Sequence, residues 1–359
     1  MARFKLSKTA RRALLACGAA GLLASCSSLN YYRQAAQGQL DLLSEARPVD
    51  DWINDQHTDA RLKTRLATAR QIRTFAVHDL ALPDNKSYRN YTALKRPFVL
   101  WNVVAAPELS LKPIQWCFPI AGCVSYRGYY DKEDAVAYAR ELRAEGNDVQ
   151  IGGVPAYSTL GWFNDPLIST FINYPDAELA RLIFHELSHQ VVYVAGDSQF
   201  NESFASAVEE AGVERWLAGF GNDSMRANYA RYQARKEQFL ALLLKCRKTL
   251  EETYASDKPR AEKRAIKARA FQQLQDDYRQ LKASWGGYAG YDRFFAEPLS
   301  NAHLAAIATY TDFVPAFRAL LTREGSFPRF YAAARKLADL DRDERHRRLK
   351  ALIPTPRSF

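Results

Sequence analysis

Residues 185–189 read His-Glu-Leu-Ser-His within a stretch, Ala177 to Val194, that is mostly apolar and carries neither Gly nor Pro. Such a stretch favours a helix, and a helix sets histidines at i and i+4 on one face about one turn apart, so both imidazoles can reach one tetrahedral metal ion. Glu186 lies on the same helix, turned toward the water that such an ion would activate. A carboxylate there can take the water's proton and later pass it to a leaving amine. A lone histidine on an apolar helix is more often a hydrogen-bonded core residue. With only 6 histidines in the chain, however, chance assembles this five-residue pattern in on the order of one percent of such sequences, which favours a metal site.

The third ligand must come from elsewhere. Position 195, where a metzincin carries its third histidine, is Ala. Gly196 can end the first helix and Asp197 or Ser198 can start another. An apolar period then runs from about Phe200 to Leu217. Glu202 falls one turn into that second helix, which folds back over the first, and Glu209 stands further along it as an alternative ligand.

The run His-Glu-Leu-Ser-His-Gln followed by Phe-Asn-Glu-Ser-Phe-Ala resembles the gluzincin arrangement of thermolysin-like and leukotriene-hydrolase-like aminopeptidases. There Asn-Glu-x-x-Ala on the second helix supplies the carboxylate ligand. Glu202 matches that position, across a shorter interval from the second histidine. Most of the chain, including Tyr126-Arg127-Gly128-Tyr129 and residues 156–170, is also similar to a family of bacterial lipoproteins described as aminopeptidases. The resemblance implies a peptide substrate, a zinc cofactor held by His185, His189 and Glu202, Glu186 as general base, and removal of N-terminal residues.

Arg3, Lys5, Lys8, Arg11 and Arg12 form a basic start, Ala13 to Ser25 is small and apolar, and Leu23-Ala24-Ser25-Cys26 resembles a bacterial lipobox. The apolar run is too short for a permanent bilayer span. Residues 1–25 thus read as a lipoprotein signal peptide. Cys26 becomes the lipidated anchor, and Ser27 in place of Asp points to the outer membrane, facing the periplasm. Removing residues 1–25 leaves 45 Lys and Arg against 40 acids. That balance is modest, and no basic block interleaved with aromatics suggests a nucleic-acid face. The basic run from Arg342 to Lys350 is broken by Asp343 and Glu344 and reads as a solvated helix face. Of the 5 cysteines, Cys117 and Cys123 can close a short disulfide loop in an oxidising compartment. Cys246, amid leucines, reads as a buried free thiol.

The expected fold is α+β: a mostly helical, zincin-like unit with a small mixed sheet before the metal helix and long helices after it. Residues 26–359 read as one unit, with a helical part (26–96), a sheet-containing part (97–175) and a helical part holding the metal site (176–359). Helices are expected over 30–45, 58–80 and 131–145, strands over 98–104, 123–129 and 149–151, and a long helical hairpin turning at Asp257-Lys258-Pro259.

Peptide hydrolysis builds negative charge on an oxygen, which a Tyr or His donor commonly shares with the metal. Tyr288, Tyr291 and His303 lie in the region from which gluzincins draw that donor, and Tyr291 and His303 are the leading candidates. An acid for the substrate's α-ammonium is not placed by spacing. Glu178, Asp165 and Glu108 are all open. Two other functions compete with an aminopeptidase: a non-catalytic envelope-binding lipoprotein whose structural zinc site is closed by a fourth protein ligand, and an endopeptidase.

Overall fold

The computed structural model describes residues 29–118, 121–305 and 313–353, which form an α+β protein dominated by helices. The expected signal segment and Cys26 lie outside the described residues. Helix α1 (29–44) leads to β1 (Arg47–Pro48), α2 (Val49–Asn54) and α3 (Ala60–His78). The sheet region holds β2 (Asn90–Thr92), β3 (Leu100–Pro107), β4 (Trp116–Phe118), β5 (Gly122–Val124), β6 (Arg127–Tyr129), α4 (Lys132–Ala144), β7 (Asn147–Val154) and β8 (Leu167–Ile168). Then come α5 (Asp176–Ser188), α6 (Ser198–Phe220), the long pair α7 (Asp223–Ala255) and α8 (Arg260–Ser284), and α9 (Asn301–Ala305), α10 (Val314–Glu324), α11 (Phe327–Ala338) and α12 (Arg342–Leu352).

The strands form three small sheets where one was expected. β1, β2 and β8 make a mixed sheet, β6, β3 and β7 an antiparallel one, and β4 and β5 a hairpin. The stretch 123–129, expected as a single strand, breaks at Ser125-Tyr126. Cys117 and Cys123 are register partners joined by a disulfide, which ties β5 to β4, whereas β6 turns away to pair with β3. α4, whose Asp131 cap accepts the Asp134 N–H, lies over β3, burying Ala135, Ala139 and Leu142 with Trp101 and Val103.

Helix α5 owes its position to apolar side chains at helical spacing. Leu179, Ile183, Phe184 and Leu187 are fully buried with Leu66 and Ile72 of α3, Phe200, Phe204 and Val208 of α6, and Phe317 and Phe330 of the C-terminal helices. Gly212 permits the close approach of α6 to this core, since a Cβ there would lie 2.8 Å from both Phe184 and Leu80 side-chain carbons. The helix stops at Ser188 and does not run to Val194. The Gln190 and Val191 N–H groups bond back to Leu187 and Ser188 carbonyls, a tighter turn, and the following Val191-Val192-Tyr193-Val194 is a β-branched and aromatic run with weak helix preference. His189 still has helical dihedrals (φ −61°, ψ −19°), so the i, i+4 relation survives.

The α7–α8 hairpin buries its own core of Phe239, Leu243, Leu250, Phe271 and Leu274. Cys246 is a buried free thiol within it, pushed up to about 12 by burial.

Candidate metal centre

One face of α5 carries Glu178, Arg181, His185 and His189, each three or four residues from the last, which places them in a single polar line. Across from it, α6 presents Glu202 and Glu209, seven residues apart and so on one face. His185 Nε2 lies 3.2 Å from His189 Nε2 and 3.3 Å from Glu202 Oε2, and His189 Nε2 lies 3.8 Å from Glu202 Oε1. His185, His189 and Glu202 form a group that can hold a metal ion. Among the described residues no fourth His, Cys, Asp or Glu joins it.

The donor set fits zinc. Ligands 2.0–2.1 Å from a tetrahedral ion stand about 3.3 Å from one another, close to the spacing of these three side chains. A ligating imidazole also needs its other nitrogen fixed, and Glu209 Oε2 sits 2.8 Å from His185 Nδ1, which directs Nε2 to the shared centre. Glu209, the alternative ligand, is outside the converging group. It is fully buried, with Arg181 Nη1 3.0 Å and Lys236 Nζ 3.8 Å from its oxygens.

The short link between the ligand helices is fixed at both ends. The Asn201 side chain accepts from Val194 N–H and donates to Val194 O, both at 2.8 Å, which closes the turn immediately before Glu202. Asp197 caps α6 through Phe200 N–H and is itself gripped by Arg345 Nε at 2.9 Å and His346 Nε2 at 2.8 Å from α12. The basic C-terminal run is thus only partly the solvated face expected of it. Arg345 is buried against the turn that sets the ligand geometry.

Charge in the site follows from burial and these contacts. Burial alone would depress the His185 imidazolium, but hydrogen bonds to Glu202 and Glu209 outweigh it and lift it to about 10. Burial holds His189 down at about 4, against the pull of Glu202. Burial would raise Glu209, yet Arg181, His185 and Lys236 hold it at about 2. Glu186 is pushed up to about 7 by burial, with His185 opposing and Glu202 and Asp165 adding to the rise. A carboxylate near neutrality suits a group that takes and returns a proton.

The disulfide hairpin leans on the link between the ligand helices. Ala121 O accepts from Tyr193 Oη at 3.2 Å and from Gly196 N–H at 3.3 Å. Gly122, at φ +72°, lies so close that a Cβ would sit 2.5 Å from Gly196 N. The chain leaving this hairpin carries Tyr126; its hydroxyl end is raised by burial and then by the charge of Glu202, with Glu186 adding to it, while the residue as a whole remains 39% exposed. Tyr193 packs edge-on to His189 and also feels Glu202. Tyr126 belongs to a segment that carries the family resemblance, but neither tyrosine is expected as the donor from the sequence, because both lie outside the region that supplies it in gluzincins. Only the hairpin's docking reveals them.

The tyrosine and histidine expected as donors sit in other packing clusters, with Tyr291 still within electrostatic reach of Glu178 and Arg181. Tyr291 stacks on Phe239 at 4.0 Å between ring centroids and packs against Trp285 and Tyr288. His303 is buried in α9, its Nδ1 accepting from Ser300 N–H and its ring against Phe294. Among the described residues, no hydrogen bond or ring contact joins Tyr291 or His303 to the metal-site residues.

A family model described as "Putative aminopeptidase" matches residues 30–349. No curated protein and no solved structure matches the chain.

Proposed function

The chain belongs to this aminopeptidase family, and we propose from that premise that it is a zinc-dependent aminopeptidase with His185, His189 and Glu202 as the metal ligands. The observation that carries the reading is the convergence of three donors at tetrahedral spacing with no fourth protein ligand among the described residues. A closed set would favour the structural-zinc alternative, whereas three ligands leave a position for water or substrate. Bound there, zinc would polarise the scissile carbonyl and acidify a coordinated water.

The chain's own groups supply the remaining chemistry. Glu186 takes the proton of the attacking water and delivers it to the departing amine. Arg181 and Lys236 neutralise Glu209, which holds His185 in one tautomer and one orientation. Tyr126, half-open to solvent and within reach of the Glu202 and Glu186 charges, donates a hydrogen bond to the oxygen that becomes negative as the carbonyl carbon turns tetrahedral. Anchoring at Cys26 would set this site on the periplasmic side of the outer membrane, among envelope peptides.

Tyr126→Phe is expected to lower kcat about 10²–10³-fold, with KM and metal content changed little. Kinetics on an unblocked peptide, paired with metal analysis, checks this. An unchanged kcat would remove Tyr126 from the reaction.

A further inference from the structure

A cavity of about 290 Å³ opens between α3, the start of α2 and the loop 83–89. Its α3 wall carries Arg70, Arg73, Thr74, Val77 and His78, at the i, i+3, i+4, i+7 and i+8 positions of one helix face. Three arginines line the cavity. Arg70 and Arg89 stand exposed at the rim, and each has an aspartate of its own: Asp50 Oδ1 lies 2.5 Å from Arg70 Nη1, and Asp84 pairs with Arg89. Arg73 is only 4% exposed, and among the described residues no carboxylate pairs with it.

Backbone carbonyls grip one side of the Arg73 guanidinium. Nε donates to Ser87 O at 3.0 Å, and Nη2 donates to Pro83 O at 2.7 Å and Asn85 O at 3.2 Å. Nη1, with two N–H groups, is buried and has no hydrogen-bond partner among the described residues. Asn85 O also accepts Arg89 Nε at 2.9 Å, so two guanidiniums converge on one oxygen. Burial lowers Arg73 to about 10, with Arg89 adding to the fall and Asp84 opposing it. Carbonyl dipoles satisfy hydrogen bonds without cancelling a full charge, and a buried charge left unpaired is costly. The carbonyl cage is fixed from behind. Asn85 Nδ2 donates to Gln190 Oε1 at 2.6 Å, Gln190 Nε2 to Ser87 Oγ at 3.2 Å, and Tyr88 N–H to Asp165 O at 2.6 Å. Arg73 is thus held in place, and the compensating charge has to come to it.

The donors left open set the class of that charge. A carboxylate is best matched by the parallel fork of two guanidinium nitrogens, but Nε and both N–H groups of Nη2 are already taken. What remains is one nitrogen from below, with Arg70 and Arg89 at the rim. Single donors arriving from several directions suit the oxygens of a tetrahedral anion. We propose that this cavity is a phosphate-binding site, with Arg73 Nη1 at its floor and Arg70 and Arg89 at its rim. Free inorganic phosphate and the phosphate of a small ester share this chemistry.

Calorimetric titration of the full chain with inorganic phosphate, glycerol 3-phosphate and acetate, at constant ionic strength, tests the assignment. The wild type is expected to bind the better of the two phosphates with a Kd of about 1 mM or tighter, and acetate about 10-fold more weakly. Tighter binding of glycerol 3-phosphate assigns the site to an ester, and tighter binding of inorganic phosphate to the free ion. Arg70→Gln and Arg89→Gln, at exposed positions, should keep the wild-type Tm within a few degrees and each weaken phosphate about 10-fold. Arg73→Met should abolish binding; because it also removes three bonds to carbonyls, the two rim variants carry the test if it does not fold. Absence of phosphate binding in the wild type would overturn the proposal, as would acetate bound as tightly as phosphate. Phosphate held at the metal centre instead would bind both rim variants as it binds the wild type, and that result would overturn it too.

Discussion

Glu186→Gln is expected to bind zinc as the wild type does and to lose about 10²–10⁴-fold in kcat/KM, the range set by removing a general acid–base. Gln matches Glu in shape, and position 186 is not among the three converging ligands, so the metal should stay. What disappears is the carboxylate that, in the proposed reaction, accepts a proton from water and releases it to the amine. An amide can do neither. Metal analysis beside steady-state kinetics separates the two effects, and a variant with full metal and full activity would remove Glu186 from its role.

The second large effect concerns the carboxylates of α6. Glu202→Ala removes a donor 3.3 Å from His185 Nε2 and should abolish stable metal binding. Glu209→Gln acts through His185, so it should weaken metal affinity by about 10–100-fold without abolishing it. The second substitution should cost more in fold stability. It takes the charge from a buried carboxylate that Arg181 and Lys236 both face, and losing one partner of such a pair costs about 3–5 kcal/mol. Titration of the apo proteins with zinc, together with their melting curves, should therefore show opposite rankings for the two variants. If Glu209→Gln lost metal and Glu202→Ala kept it, the ligand assignment would move to Glu209.

Much of this centre was legible in the chain because its geometry is local. Helical spacing alone puts His185 and His189 on one face, and Gly196 and Asp197 signal the turn that brings Glu202 back over them. The different surroundings of Glu202 and Glu209 were not legible, since both lie on the same face of α6. It depends on Arg181 and Lys236, the second of which comes from α7. The brace of Arg345 and His346 on Asp197 spans about 150 residues and leaves no pattern in either segment. The hairpin that delivers Tyr126 was hidden for a related reason. Residues 123–129 have the composition of one strand, and only the disulfide register and the pairing of β6 with β3 divide it.

The most direct test of the central claim is the zinc content of the purified chain, measured with the release of N-terminal residues from an unblocked peptide before and after chelation. About one zinc per chain is predicted, with release lost when the metal is stripped and restored when zinc is returned. Undiminished cleavage by a metal-free chain would contradict the account.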